Sequence, residues 1–242
     1  MSELYIDDLR VEIVRKNIRN LRLTVYAQGG RVRVAAPLRT PDAAIREMVA
    51  ARRAWIEKHQ TRFEARSAPV ALAYIPGETH LYQGRPYTLQ VAPAGTGRPR
   101  VELHEATQQL WLFIRENSTP EQRAKLLATW YRERLKAQLP VLVAHWEPIL
   151  GVQVEAWAVK QMKTRWGTCN IQARRIWLNL ELIKRPPHCL EYVVVHEMVH
   201  LLERYHNARF WGFMDRFLPS WPTARQQLNQ VSPGHSAGPD AC

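Results

Sequence analysis

The residues whose types and spacing could do chemistry sit in one stretch, Val193-Val194-Val195-His196-Glu197-Met198-Val199-His200-Leu201-Leu202. Histidines four apart on a helix lie about 40° out of line, on one face. His196 and His200 can therefore hold one metal ion from the same side. Glu197, rotated by about 100° from His196, can reach a water on that metal without being a ligand. Zinc lowers the pKa of bound water to about 7, and a carboxylate beside it can take the proton. The expected cofactor is Zn2+ and the expected chemistry is hydrolysis, with Glu197 as general base. The competing reading is a pair of histidines on an amphipathic helix with Glu197 merely solvated. The apolar flanks weigh against it, because they predict a buried helix. A buried histidine or glutamate needs a partner, and a metal provides one.

His206 is the candidate third ligand. An unbroken helix would place it about 80° off the face of His196 and some 15 Å along the axis. If His206 is the third ligand, the helix must end near Arg204 and the chain must turn back. Asn207, a good N-cap, fits a break followed by a new helix. Three protein ligands and one open position make the catalytic arrangement of zinc, not the structural one. The alternative for His206 is a surface-loop histidine.

His196-Glu197-x-x-His200-x5-His206, followed by Phe210-Trp211 and then Pro219, resembles the YgjP-like zinc metallopeptidases, relatives of the SprT-type proteases. Lys163-Thr164-Arg165-Trp166-Gly167-Thr168-Cys169 and Ile176-Trp177-Leu178-Asn179 are similar to that family's other signature, K-x-R-W-G-x-C and a strand ending in Leu-Asn. The N-terminal pattern, a basic strand pair and then a helix ending in Trp55-Ile56, is similar too. The resemblance covers nearly the whole chain. It implies that His196, His200 and His206 bind zinc and that Glu197 is the general base. Two departures stand out: Tyr205-His206-Asn207 replaces the family's usual Asn-His-Ser, and Thr168 replaces a common Ser. Neither removes a ligand.

These residues need elements to position them, and the expected fold class is α+β. An N-terminal antiparallel β-rich domain with one long basic helix spans residues 1–117. A zincin-like catalytic domain carrying the H-E-x-x-H helix spans 118–230, and a disordered tail rich in Gly, Pro and Ser spans 231–242. Alternation of apolar residues predicts a β-hairpin over residues 10–35 with its turn at Gln28-Gly29-Gly30. Thr40 as cap and Pro41 in the first turn predict a helix over 41–66. Short strands follow over 67–118, and His80 and His104 read as incidental loop residues. Thr119, Pro120 and Gln122 form a capping box opening a helix that presents Leu127, Trp130, Tyr131, Leu135 and Leu139 to the metal helix. Pro140 should kink or break it before it resumes to Leu150.

Val152 to Val159 reads as a strand and Lys160 to Asn170 as a loop. Lys163 and Arg165 in that loop either contact substrate or steady a developing oxyanion, or they belong to a structural turn; the residues leave the choice open. Gly167 is expected in a backbone conformation that only glycine accepts easily. The strand Arg174 to Leu180 is a candidate edge for strand addition by a peptide. Phe210, Trp211, Phe213, Met214, Phe217 and Leu218 form a helical core stripe that Pro219 ends. No internal repeat is evident.

The net charge is +12, with +6 of it in residues 1–67, so the excess is spread rather than held in a tail. A basic protein attracts polyanions, and Arg15, Arg19, Arg22, Arg31 and Arg33 could form a phosphate-binding stripe. Ordinary solubility in an Arg-rich composition accounts for the charge equally well. Three cysteines, Cys169, Cys189 and Cys242, make no disulfide framework and suggest a reducing cytoplasm. Cys169 and Cys189 read as buried thiols. No apolar stretch predicts a signal peptide or a membrane span. The expected substrate is a polypeptide cleaved by attack of activated water. A nucleoside triphosphate held by the arginines, or a role as a DNA-associated protease or binder, are the alternatives.

Overall fold

The structure, a computed structural model, describes residues 2–26, 29–64 and 72–230. It divides into two compact units, with the division at residues 71 and 72.

In the first unit, β1 (Ser2–Ile6), β2 (Leu9–Lys16), β3 (Arg22–Val25) and β4 (Val32–Pro37) form one sheet in the order β1-β2-β4-β3. Only β3 and β4 make the expected hairpin. β2 runs parallel to β4, and its antiparallel partner is β1. The most apolar strands take the centre: Val11, Ile13, Val32 and Val34 bury one face, and the more polar β3 is left at an edge. The expected single helix is two, α1 (Asp42–Ala51) and α2 (Arg53–Glu64). At Arg52 the backbone N–H bonds to the carbonyl of Val49 at 3.1 Å, a tighter closure that interrupts the α ladder. Ile45, Val49 and Ile56 still reach the same core. Thr40 does not cap α1, which has no side-chain cap. Instead Arg15 donates to the carbonyl of Thr40 at 2.5 Å and to Asp42 at 2.6 Å. Arg33 bonds Glu12 at 2.7 Å, and Arg31 lies 3.6 Å from the same carboxylate. Three arginines of the expected phosphate stripe are thus paired within their own unit.

In the second unit, β5 (Thr79–Tyr82), β6 (Arg85–Pro93), β7 (Arg100–His104) and β8 (Gln109–Ile114) form a sheet in the order β5-β6-β8-β7. Its pairing is antiparallel, parallel, antiparallel, the same as in the first sheet. The topology therefore repeats where the sequence shows no repeat. His80 is not a loop residue but a buried one, with Nε2 3.3 Å from Glu78.

α3 (Pro120–Leu150) opens with the expected capping box: Gln122 N–H donates to Thr119 Oγ1 at 3.3 Å, and Thr119 N–H to Gln122 Oε1 at 3.0 Å. It runs unbroken through Pro140. That residue and Lys136, whose carbonyl it leaves without a helical donor, both lie on the exposed face, where water can serve the carbonyl.

β9 (Ala156–Lys160), β10 (Gly167–Asn170) and β11 (Arg175–Asn179) form a small sheet in the order β10-β11-β9. Part of the expected 160–170 loop is therefore strand, and the strand expected at an edge is central. A 3₁₀ helix (Leu180–Lys184) leads to α4 (Pro187–Val199), α5 (Ala208–Phe217) and α6 (Trp221–Gln230).

The boundary expected near residue 118 is absent. Leu89, Leu110 and Leu112 of the sheet share one core with Leu127, Leu135 and Leu139 of α3 and with Val193, Val194 and Val195 of α4. A sheet whose buried face is completed by the following helix cannot be a separate unit. The tail expected over 231–242 lies outside the described residues. No helix among the described residues is long and apolar enough to cross a membrane.

Replacing the buried Leu139 by Ala should cost about 2–5 kcal/mol in urea unfolding. Val141→Ala, at a position 72% exposed on the same helix, should stay within about 0.5 kcal/mol. Equal losses would misplace the buried face of α3.

Candidate metal centre

α4 is buried on every side because it fills the middle of the core. Leu190, Tyr192, Val193, Val194, Val195, Met198 and Val199 all belong to the core cluster. His196 and Glu197 are carried into that interior by a helix whose other residues pay no penalty there. The helix ends at Val199 with His200 as its cap, whose N–H still bonds the carbonyl of His196 at 3.3 Å. Leu201 and Leu202 then donate to the carbonyls of Met198 and Val199, which tightens and closes the last turn. This stop falls a few residues before the expected one near Arg204. The chain turns back as the spacing requires, and Asn207 caps α5 by accepting from Phe210 N–H at 3.0 Å.

That turn brings His206 home. Its Nε2 lies 3.0 Å from His196 Nε2 and 3.1 Å from His200 Nε2. Nitrogens bound at about 2.0–2.1 Å to a tetrahedral zinc stand roughly 3.3 Å apart. The observed separations are within a few tenths of an ångström of that. Among the described residues these three histidines are the group able to hold a metal ion, and no cysteine or carboxylate joins them. The ring orientations have separate causes. His200 Nδ1 lies 3.2 Å from the carbonyl of Glu203, which fixes the proton there and leaves Nε2 as a ligand. His196 Nδ1 is buried without a hydrogen-bond partner; its ring is held by packing against Tyr192 and Phe210. His206 stacks on Trp211 with centroids 5.6 Å apart, and Trp211 stacks on Trp221 at 4.7 Å. Arg225 lies 4.8 Å from the Trp211 ring centre, over the stack. Phe210 sits within 4.8 Å of all three imidazole rings and forms their common floor.

The electrostatics suit metal binding. Burial, and then the neighbouring imidazoles, holds His196 well below the usual histidine range. His200 is lowered as well, chiefly by burial. Neutral imidazoles are the form that ligates. Glu197 is 1% exposed, and burial pushes its carboxyl up to about 8, against the pull of the Arg165 charge. Its Oε1 has no hydrogen-bond partner. A buried carboxyl oxygen without a partner, on the residue that follows His196 of a converging triad, fits a cation and its water.

Gly167 explains how Glu197 is accommodated. A Cβ on Gly167 would lie 2.5 Å from Glu197 Oε1 and 2.8 Å from its Cγ. The requirement is room for the carboxylate. It is not the special backbone expected from the sequence, since Gly167 has no positive φ. Trp166 is buried as expected. Lys163 and Arg165 are exposed, and neither joins the histidines.

The residue that sequence reasoning missed is Asn179. It is fully buried, and its Nδ2 donates to the carbonyls of Met162 at 2.9 Å and Arg165 at 2.7 Å. Its Oδ1 accepts from Glu181 N–H at 3.1 Å, and its own N–H bonds the carbonyl of Trp166 at 2.8 Å. It thus pins the segment before β10 that carries Arg165 and Gly167. The Leu-Asn ending of the strand was the available signal. Cys169 and Cys189 are held as thiols, burial raising them to about 12 and about 11.

Three converging imidazole nitrogens, with a buried, unpaired carboxyl group on the same helix, are the equipment of a hydrolytic metal centre. The chain belongs to the YgjP-like family: the family model described as "YgjP-like, metallopeptidase domain" matches residues 19–231. It is accordingly a metallopeptidase, a hydrolase with a catalytic metal. No curated protein matches it. Among solved structures, the metallopeptidase zymogen abylysin of Pyrococcus abyssi is similar over 38% of this chain and 93% of its own, at 19% identity and a TM-score of 0.35. That likeness is too slight to inform the fold.

Two substitutions test the supports of the site. Asn179→Ala leaves the carbonyls of Met162 and Arg165 without their donor and should cost about 2–3 kcal/mol in urea unfolding; a neutral result would remove Asn179 as the pin. Trp211→Ala should weaken zinc affinity about 10–100-fold in chelator competition, with Trp211→Phe recovering most of it. Unchanged affinity in Trp211→Ala would show that the stack does not orient His206.

Proposed function

We propose that this protein is a zinc-dependent peptidase that cleaves polypeptides by Glu197-assisted attack of water. The observation that carries the reading is the convergence of three imidazole nitrogens, with the buried, unpartnered Glu197 one residue along α4 from His196. His196, His200 and His206 would hold the ion through Nε2. Zinc bound there supplies a Lewis acid for the scissile carbonyl and a water of lowered pKa.

Glu197 accepts the proton of the attacking water at Oε1 and returns it to the leaving amine. Burial gives it the proton affinity this return requires, and a nearby cation draws that affinity down from about 8. Gly167 keeps the carboxylate seated, and Asn179 holds the Arg165 segment beside it. Arg165, whose charge acts on Glu197, would steady a developing oxyanion. Lys163, exposed in the same segment, is a substrate contact. The edge for strand addition passes from β11 to β10, which has a sheet neighbour on one side only.

Charge alone supports nucleotide hydrolysis or nucleic-acid association, and the pairing of Arg15, Arg31 and Arg33 within the first unit weakens both. Zinc-loaded protein should cleave unfolded polypeptides and leave a nucleoside triphosphate panel intact. Glu197→Gln should lower that cleavage by about 10²–10⁴-fold while still binding one zinc per chain. Turnover of triphosphates that disappears in Glu197→Gln would reverse the substrate assignment. Peptide cleavage that survives the substitution would remove Glu197 from the reaction.

A further inference from the structure

A cleft of about 630 Å³ opens beside the triad on the side of His200. That volume lies within the roughly 300–1,000 Å³ typical of ligand sites. One wall is Cys169 of β10 and Ile171 of the turn after it; the other is Leu201, Leu202 and Arg204, the segment that leaves α4. We infer that this cleft is the specificity subsite of the enzyme, taking an aliphatic side chain of the polypeptide substrate and rejecting a basic one. The inference rests on the peptidase reading and names the substrate class of that site.

Location is the first support. His200 belongs both to the triad and to the lining, so whatever fills the cleft lies next to the reaction centre. The walls are the second. Ile171 is 37% exposed, and Leu201 and Leu202 are half-buried, so part of their apolar surface faces solvent. An aliphatic side chain entering there removes that surface from water, at about 25 cal/mol per Å².

The polar groups of the lining supply the third support. Asn170 Oδ1 already accepts from Ala173 N–H at 3.0 Å, His200 Nδ1 faces the carbonyl of Glu203, and Gln172 brings an exposed but uncharged amide. Cys169 is a neutral thiol. Arg204, exposed at the rim, is then the one formal charge in the lining, and it repels lysine and arginine. Register supplies the last. Cys169 pairs with the buried Ile176 and Gly167 with the buried Leu178, so Gly167 and Cys169 share the face that meets Glu197. A substrate strand laid along β10 alternates its side chains, and those on that face alternate between the catalytic carboxylate and the cleft.

The test uses zinc-loaded full-length protein and a peptide series that differs only in carrying Leu, Ala or Lys at each position around the scissile bond. At one position Leu should exceed Lys by at least about tenfold in kcat/KM. The same order should appear in the Kd values of the intact peptides for zinc-loaded Glu197→Gln protein. Arg204→Glu should move the Leu-to-Lys ratio about tenfold towards Lys, and Ile171→Ala should lower the Leu-to-Ala ratio. Both sites are exposed, and zinc content checks that each variant folds. Absence of any Glu197-dependent cleavage overturns the peptidase reading and the subsite with it. Glu197-dependent cleavage with no Leu-over-Lys preference in rate or binding overturns the subsite alone. So does a preference that neither substitution moves.

Discussion

His206 Nε2 lies about 3 Å from the Nε2 atoms of both His196 and His200, so three imidazole nitrogens converge against the apolar core. That arrangement is unfavourable for the protein alone and favourable around a cation, and the second unit is built to hold it. α4 lies in the middle of the core so that His196 and Glu197 are away from bulk water. α3 and the β5–β8 sheet complete the apolar surround. Phe210 supplies a shared floor for the rings, and the Trp211–Trp221 stack braces the ligand that arrives on a turn. Desolvation then favours the neutral form of His196 and His200 and raises the proton affinity of the carboxyl group. The same burial therefore prepares the ligands and the base.

The carboxylate depends on residues far from it in sequence. Glu197 fits only because Gly167, thirty residues earlier, presents no side chain. Gly167 is where it is because Asn179 ties the preceding segment to the end of β11. A glycine, an asparagine and a helix register thus act as one device. The device also leaves β10 at the edge of its sheet and leaves the cleft between that strand and the chain leaving α4.

Much of the site was legible because its signals are local. The four-residue spacing of His196 and His200 sets a helix face, and geometry alone demanded a break before His206. Asn207 and the Thr119–Gln122 box announced their helix starts through side chains that reach only three residues. What stayed hidden depends on partners distant along the chain. The parallel pairing of β2 with β4, and of β6 with β8, follows from which strands are most buried, and alternation within one strand does not report that. The boundary was misplaced for a related reason: a shift from strands to a helix in sequence gives no sign that both share a core. The role of Gly167 looked like a backbone requirement, because the carboxylate that needs the space lies elsewhere in the chain. Arg15 at the entrance of α1 took the place of the expected threonine cap, again through contacts more than twenty residues apart.

The central claim is that His196, His200 and His206 close on one metal ion through their Nε2 atoms and leave a position for water. X-ray absorption at the zinc edge of the zinc-loaded protein tests this directly. The account predicts three imidazole nitrogens at about 2.0–2.1 Å, one further light-atom ligand and no sulfur. A zinc–sulfur distance near 2.3 Å, or fewer than three imidazoles, would contradict it.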